Sequence, residues 1–183
     1  VASYLGTADQ PALNSMLNFP MYYTINDVFA AGAPTAQMTY RLEAAQRVYP
    51  DASRLPVFID NHDVDRFLAN GNEARLKQSL LFVMTTPGIP VIYYGTEQGF
   101  ADRRASMFAG GYGSNGEDHF DTESERYQFT RDVTTLRTAN RIFTRGTLTT
   151  LPANEQQAGV LAYTRAYEGD VALVLFNTAD API

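Results

Sequence analysis

Apolar residues recur at helical intervals in three stretches of the chain. In "TAQMTYRLEAAQRVY" Met38, Leu42, Ala45 and Val48 fall on one face, with Thr35 or Thr39 placed to cap the start and Pro50 to close the end. In "NEARLKQSLLFVMTT" the stripe is Leu76, Leu80, Val83 and Met84. Asn72 is its N-cap candidate, and Glu73 and Lys77 stand where they would pair along the helix. In "TESERYQFTRDVTTLRTA" Phe129, Val133 and Leu136 follow Thr122 and Glu125, which have the spacing of a capping box. Upstream, "SMLNFPMYYTINDVFA" is broken at Pro20 and then carries Tyr23, Val28 and Phe29 at spacings compatible with another helix.

Two further runs, "LPVFID" and "IPVIYYG", are apolar without that period, the pattern of short strands covered on both faces. Each ends in polar residues, Asp60 to Asp63 after the first and Thr96, Glu97 and Gln98 after the second. Strand, helix and strand with tight connections predict a parallel sheet with a right-handed crossover, so the fold class is α/β. After Gly99 the pattern dissolves into the long, glycine-rich "FADRRASMFAGGYGSNGEDHFD", and loops of that length in compact domains are functional or mobile. Beyond Gly146 apolar and polar residues alternate around Glu168, Gly169 and Asp170, which predicts a hairpin. The expected division is residues 1–143 as one domain and 144–183 as the beginning of an all-β module.

Composition narrows the partners. The 183 residues are 45% hydrophobic and 12% aromatic, enough for a packed core. Fourteen basic and twenty acidic residues leave a net charge of −6 with no basic run, so a nucleic-acid partner is not expected. No stretch approaches the roughly 20 apolar residues of a membrane span. The absence of cysteine removes disulfides and thiol chemistry. "VASYLG" carries neither an initiator Met nor a leader-like pattern, and the chain stops just after an extended segment, so it is expected to be a piece of a longer protein.

The chemistry concentrates at the strand ends. In parallel α/β sheets and barrels, ligands gather beyond the carboxyl ends of the strands, where loops vary while the strands hold position. There Asp60, Asp63 and Glu97 could stabilise positive charge, accept a proton, bind sugar hydroxyls or hold a metal, and His62 could donate to a hydroxyl. Asn61, Tyr93, Tyr94, Arg103 and Arg104 suit a neutral, hydroxyl-rich ligand. The same residues also read as ordinary structure. Asp and Asn after a strand make turns and caps, the tyrosines pack on sheets, Arg103 and Arg104 pair with Asp102 or other surface acids, and His119 is a solvated loop residue. No third spaced ligand accompanies "DNHD", so no metal ligands are assigned.

"VFIDNHDVDRF" followed by "GIPVIYYGTEQG" resembles the seventh and eighth strands of the catalytic barrel of the alpha-amylase family, glycoside hydrolase family 13, with the family's Asn-His-Asp core at Asn61, His62 and Asp63. "SMLNFPMYYTINDVF" is similar to the region of the sixth strand, and the β-rich tail to the start of the family's C-terminal sandwich domain. The resemblance implies a partial (β/α)8 TIM barrel, strands six to eight, followed by the start of an all-β sandwich. It also implies retaining hydrolysis of α-glucosidic bonds in starch-like glucans or maltooligosaccharides. Asp63 would be the transition-state-stabilising carboxylate and His62 a ligand of the sugar beside the cleaved bond. Asp102, Arg103 and Arg104 sit where members grip the sugar on the non-reducing side, although the usual spacing is not kept. Arg66 would be structural, paired with local acids.

The family's nucleophile and acid lie on strands four and five, which this chain does not encode. The piece by itself is therefore expected to be inactive, with an open barrel edge that favours aggregation. No cofactor is expected in this segment; the resemblance leaves room for a calcium site in the full-length parent, for which an extracellular or periplasmic location is favoured. The alternative from another class is a catalytically silent amylase-like barrel that binds carbohydrate or a partner.

Overall fold

The stripe Leu76, Leu80, Val83 and Met84 is buried along one helix, and the rest of the structure is arranged around it. The computed structural model describes residues 1–182. The chain begins with α1 (Ala2–Leu5) and α2 (Phe19–Ile25), which runs on into a π-helical turn at Asn26–Ala30. Then come α3 (Ala36–Val48), β1 (Pro56–Val57), α4 (Phe67–Asn70), α5 (Glu73–Thr85) and β2 (Ile89–Pro90). After a long loop follow α6 (Glu125–Ala139), α7 (Arg141–Arg145), β3 (Thr147–Thr150), β4 (Val160–Tyr167) and β5 (Asp170–Asn177).

Capping chemistry holds at some helix starts only: Thr35 stands at the N-cap of α3 but makes no side-chain cap bond, its Oγ1 accepting from Asn154 N at 2.9 Å instead, and Thr39 does not cap either. Asn72 Oδ1 accepts from Arg75 N at 3.0 Å, as its spacing predicts. At α6 the cap is Ser124, whose Oγ accepts from Tyr127 N at 3.3 Å; Thr122 lies outside the helix and makes no capping box. Pro20 opens α2 rather than breaking it, because the first turn needs no N–H there, and Asn18 Oδ1 caps that turn through Met21 N. The expected Glu73–Lys77 pair along α5 is replaced by two bridges to α6, Glu73–Arg126 and Lys77–Glu125, both at 2.5 Å. On α6 Val133 is buried as expected, whereas Leu136 is exposed and Arg137 is inside.

β1 and β2 pair in parallel, Pro56 with Ile89 and Val57 with Pro90, and α5 makes the crossover between them. The approach is close. A Cβ at Gly88 would lie 2.6 Å from Val57 Cγ2, and Gly88 has φ +121°, so only glycine fits. The ladder is shorter than the apolar runs predict. On the other side of β1, Asn18 N donates to Pro56 O at 3.0 Å, and Asn26 Nδ2 takes Ile59 O at 3.1 Å. Helical residues thus satisfy carbonyls that a neighbouring strand would otherwise bond. β2 is not covered on both faces as expected, since Ile89 and Val91 remain exposed.

β3, β4 and β5 form an antiparallel sheet in sequence order. The hairpin β4–β5 turns at Glu168 and Gly169, with φ of 51° and 94°, the left-handed pair that suits a two-residue turn between twisted strands. The sheet's inner face joins the helices in one apolar cluster. Phe29, Phe82 and Phe176 meet with ring centroids 5.4 to 6.2 Å apart, and Tyr163 packs edge-on to Phe82. The division expected at 143/144 falls inside α7.

The seam between sheet and helices is polar as well as apolar. Arg137 donates to Met84 O, Thr86 O and Gly88 O, and Arg165 of β4 donates to Thr85 O and Gly146 O. Two guanidinium groups thus saturate carbonyls at and just beyond the C-terminal end of α5, where the helix dipole is negative. Burial pushes both below the usual arginine range, Arg165 to about 10. Tyr163 OH meets Thr85 Oγ1 at 2.6 Å in the same seam.

Candidate functional site

The stretch "FIDNHD" sends its two carboxylates in opposite directions. Asp60 turns inward and is buried, accepting from Phe67 N at 3.2 Å and from Thr96 Oγ1 at 2.9 Å. It caps the first turn of α4 and ties the end of the β1 run to the loop after β2. Burial pushes its carboxyl above the ordinary value, an effect opposed by the bonds from Phe67 and Thr96 and by the nearby Arg66. Asp60 is therefore architectural.

Asp63 turns outward. Asn61 Oδ1 accepts from Asp63 N at 2.8 Å, an Asx turn in the loop that follows β1. This leaves the side chains of His62 and Asp63 61% and 58% exposed, with His62 Nε2 3.4 Å from Asp63 Oδ1. Arg104 closes the group. Its Nη2 lies 3.8 Å from the same carboxylate oxygen, and its Nε donates to His62 O at 3.1 Å. Tyr93 stands behind, its ring centroid 6.3 Å from that of His62.

The structure thus brings Asp63, His62 and Arg104 together and sets the other candidates apart. Arg103 points away to Asp65, at 2.5 Å. Asp102 Oδ1 is taken by Arg104 N at 3.0 Å, so this carboxylate shapes the turn that presents Arg104. Glu97 is half-buried, with an Oε2 that has no hydrogen-bond partner. His119 is not simply solvated: it packs edge-on to Phe100 at 5.0 Å and its Nε2 lies 3.0 Å from Ser114 O.

Arg66 is the support beneath this group. It is fully buried, yet makes no salt bridge to the acids expected for it. Instead it donates to Tyr94 O at 2.7 Å, Asp102 O at 3.1 Å and Thr96 Oγ1 at 3.4 Å, with its guanidinium carbon 4.0 Å from the Tyr93 ring centroid. Carbonyls and aromatic faces compensate the charge. One side chain from the first strand-end loop thereby holds the second.

Sequence reasoning overlooked Phe108 and Phe120, whose rings meet edge-to-face at 5.1 Å on the surface beside Arg104. The available signal was two phenylalanines in an otherwise small and polar loop. Among the described residues no group of three His, Cys, Asp or Glu side chains is arranged to hold a metal ion.

The sequence pattern of the family described as "Alpha amylase, catalytic domain" matches residues 6–145. A beta/alpha-amylase of Paenibacillus polymyxa is 33% identical over 177 residues, covering 91% of this chain and 14% of that protein. An alpha-amylase of Niallia circulans is 30% identical over 190 residues, covering 95% of this chain and 34% of that protein. The chain therefore spans between a seventh and a third of these relatives' length. Among solved structures, the cyclomaltodextrin glucanotransferase CldA superposes with a TM-score of 0.74 at 33% identity, over 88% of this chain and 32% of that one. An alpha-amylase from Anoxybacillus matches in fold with a TM-score of 0.76 at 24% identity, over 92% of this chain and 37% of that one. These neighbours are TIM-barrel proteins of the amylase type with α/β content. The helices and strand-end loops through residue 145 are thus those of a known lineage, and the chain belongs to the alpha-amylase family through its catalytic domain.

Proposed function

We propose that this chain is the part of a retaining α-glucosidic enzyme, acting on starch-like glucans or maltooligosaccharides, that supplies the transition-state-stabilising carboxylate Asp63. The observation that carries this reading is the outward Asp63 carboxylate, presented by an Asx turn at a strand end and flanked by His62 and Arg104. Within a barrel mouth, a fixed negative charge stabilises a sugar ring as it acquires oxocarbenium character. His62 donates to a hydroxyl of that ring, and Arg104 holds His62 through its carbonyl while facing the same space. Asp102 and Arg103 act one step removed, by shaping and anchoring the turn that carries Arg104. In this reading the chain supplies strands six to eight of the barrel and the start of the C-terminal sandwich.

Retaining chemistry needs a nucleophile and an acid about 5 Å apart. In this reading both come from strands four and five, outside these 183 residues. The isolated chain is expected to release no reducing sugar from maltooligosaccharides. In a full-length protein containing it, Asp63→Asn is expected to lower kcat by about 10²-fold or more with Tm unchanged, as loss of one preorganised transition-state contact does. Equal turnover in the variant, or unfolding of the variant, removes Asp63 from catalysis. An unaltered full-length protein that binds maltooligosaccharides without cleaving them favours the silent carbohydrate-binding barrel instead.

A further inference from the structure

The dipeptide Asn-Gly occurs twice in the chain, at Asn70–Gly71 and at Asn115–Gly116. In such a pair the side-chain amide carbon and the next main-chain nitrogen can close a five-membered ring. Glycine leaves that nitrogen unshielded and the backbone free to turn toward the side chain. Whether the ring closes depends on how the fold holds the two residues.

The two pairs are held differently. Asn70 is the last residue of α4, and Gly71 N donates to Phe67 O at 2.8 Å in that helix. Gly71 also packs against the Phe67 ring, where a Cβ would come within 2.5 Å of Cε1. Asn72, next in sequence, is fixed as the cap of α5. Ring closure at Asn70 has to break a helical bond in a place with no room to move.

Asn115 and Gly116 are the central residues of a turn closed by Glu117 N, which donates to Ser114 O at 3.2 Å. Their φ values of 57° and 79° are both left-handed, which suits this pair of residue types. Asn115 is exposed, and its amide makes no hydrogen bond among the described residues. Around Gly116 there is open space, with nothing within 4 Å of where a Cβ would stand. Gly116 N has only a long bond, 3.3 Å, to Ser114 Oγ, an oxygen already engaged with Ala109 O and Gly111 O.

We propose that Asn115 is a site of self-modification, deamidating through a succinimide while Asn70 is spared. Gly116 N bonds to Asn115 Cγ, the bond from Cγ to Nδ2 breaks, and the amide nitrogen takes up the proton lost by Gly116 N and leaves as ammonia. Water then opens the ring. Attack at Cγ yields aspartate, and attack at the main-chain carbonyl carbon yields isoaspartate, whose main chain runs through the former side chain. Either product adds one negative charge beside Glu117 and Asp118. Isoaspartate also lengthens the main chain by one carbon inside the turn. Ser114 O, which closes that turn, lies 3.0 Å from His119 Nε2, and Asp118 Oδ1 accepts from Ala109 N at 2.8 Å. The modification thus loosens the bonds that brace this loop.

Peptide mapping by mass spectrometry, on the folded protein held in mildly alkaline buffer, tests this. The peptide containing Asn115 is expected to shift to the mass of the acid and to become a substrate for an isoaspartyl-specific methyltransferase. It should do so at least about tenfold faster than the peptide containing Asn70, whose nitrogen is released only by local unfolding. In urea the two should convert at similar rates, because the fold no longer tells them apart. Equal rates in the folded protein, or faster conversion at Asn70, overturn the proposal. A difference that persists in urea assigns it to flanking sequence and overturns it too. After conversion, the amides of Ala109 and His119, bonded to Asp118 Oδ1 and Met107 O, should exchange with deuterium faster. Unchanged exchange overturns the loosening and leaves only the added charge.

Discussion

Asp60 and Asp63 show how much the surroundings decide what one residue type does. Both stand in the same six-residue stretch, yet Asp60 is an internal brace and Asp63 faces solvent. The stretch itself is legible in the sequence as a strand end rich in chemistry. Which carboxylate turns outward is not, because the decision is made by Phe67 N and by Thr96, 36 positions away. The difference has a pH signature. The folded Asp60 carboxyl is held above its ordinary 3.8, so the folded state keeps a proton that the unfolded chain has already released. Stability is full below that value and falls as pH climbs through the raised folded one. Asp60→Asn should abolish this slope in denaturant titrations across the acid range. It should cost most at the acid end, about 1–3 kcal/mol, where the protonated carboxyl contributes fully, and progressively less as pH rises.

The elements divide into those written locally and those written by partners. α3, α5 and α6 form where their apolar stripes predict, although Val48 and Leu136 at the ends of two stripes are exposed, and the β4–β5 hairpin follows its turn residues. β1 and β2 are shorter than their apolar runs because ladder length depends on neighbouring strands, and the groups beside β1 are the N–H of Asn18 and the side chain of Asn26. Arg137 and Arg165 are unreadable from local pattern, since periodicity places a charge outside while the end of α5 draws it in. Arg165→Met should leave Thr85 O and Gly146 O without their donor and destabilise by about 1–3 kcal/mol, read as a lower urea midpoint at unchanged m. Arg131→Ala, which removes only the exposed pair with Asp132, should stay within about 0.5 kcal/mol.

On the scale of the whole molecule, one apolar cluster joins Met21 of α2 to Phe176 of β5, so helices and sheet are expected to melt in a single transition. Calorimetry checks this: two resolved transitions would mean that the apolar cluster does not couple the sheet to the helices. The outer face of β5 is the other global feature, for Val171, Leu173 and Leu175 stand exposed in a row on an edge strand. Such a row templates association. Replacing all three by Thr keeps strand propensity and should lower concentration-dependent sedimentation while shifting Tm by only a few degrees. The loop of residues 106–119 also has a consequence for engineering. Its two ends meet where His119 N donates to Met107 O, and bonds from Ala109 N to Asp118 Oδ1 and from Ser114 Oγ to Ala109 O brace what lies between. Segments that bring their own internal bonds could be grafted at that neck as exchangeable cassettes while the braced scaffold beneath stays as it is.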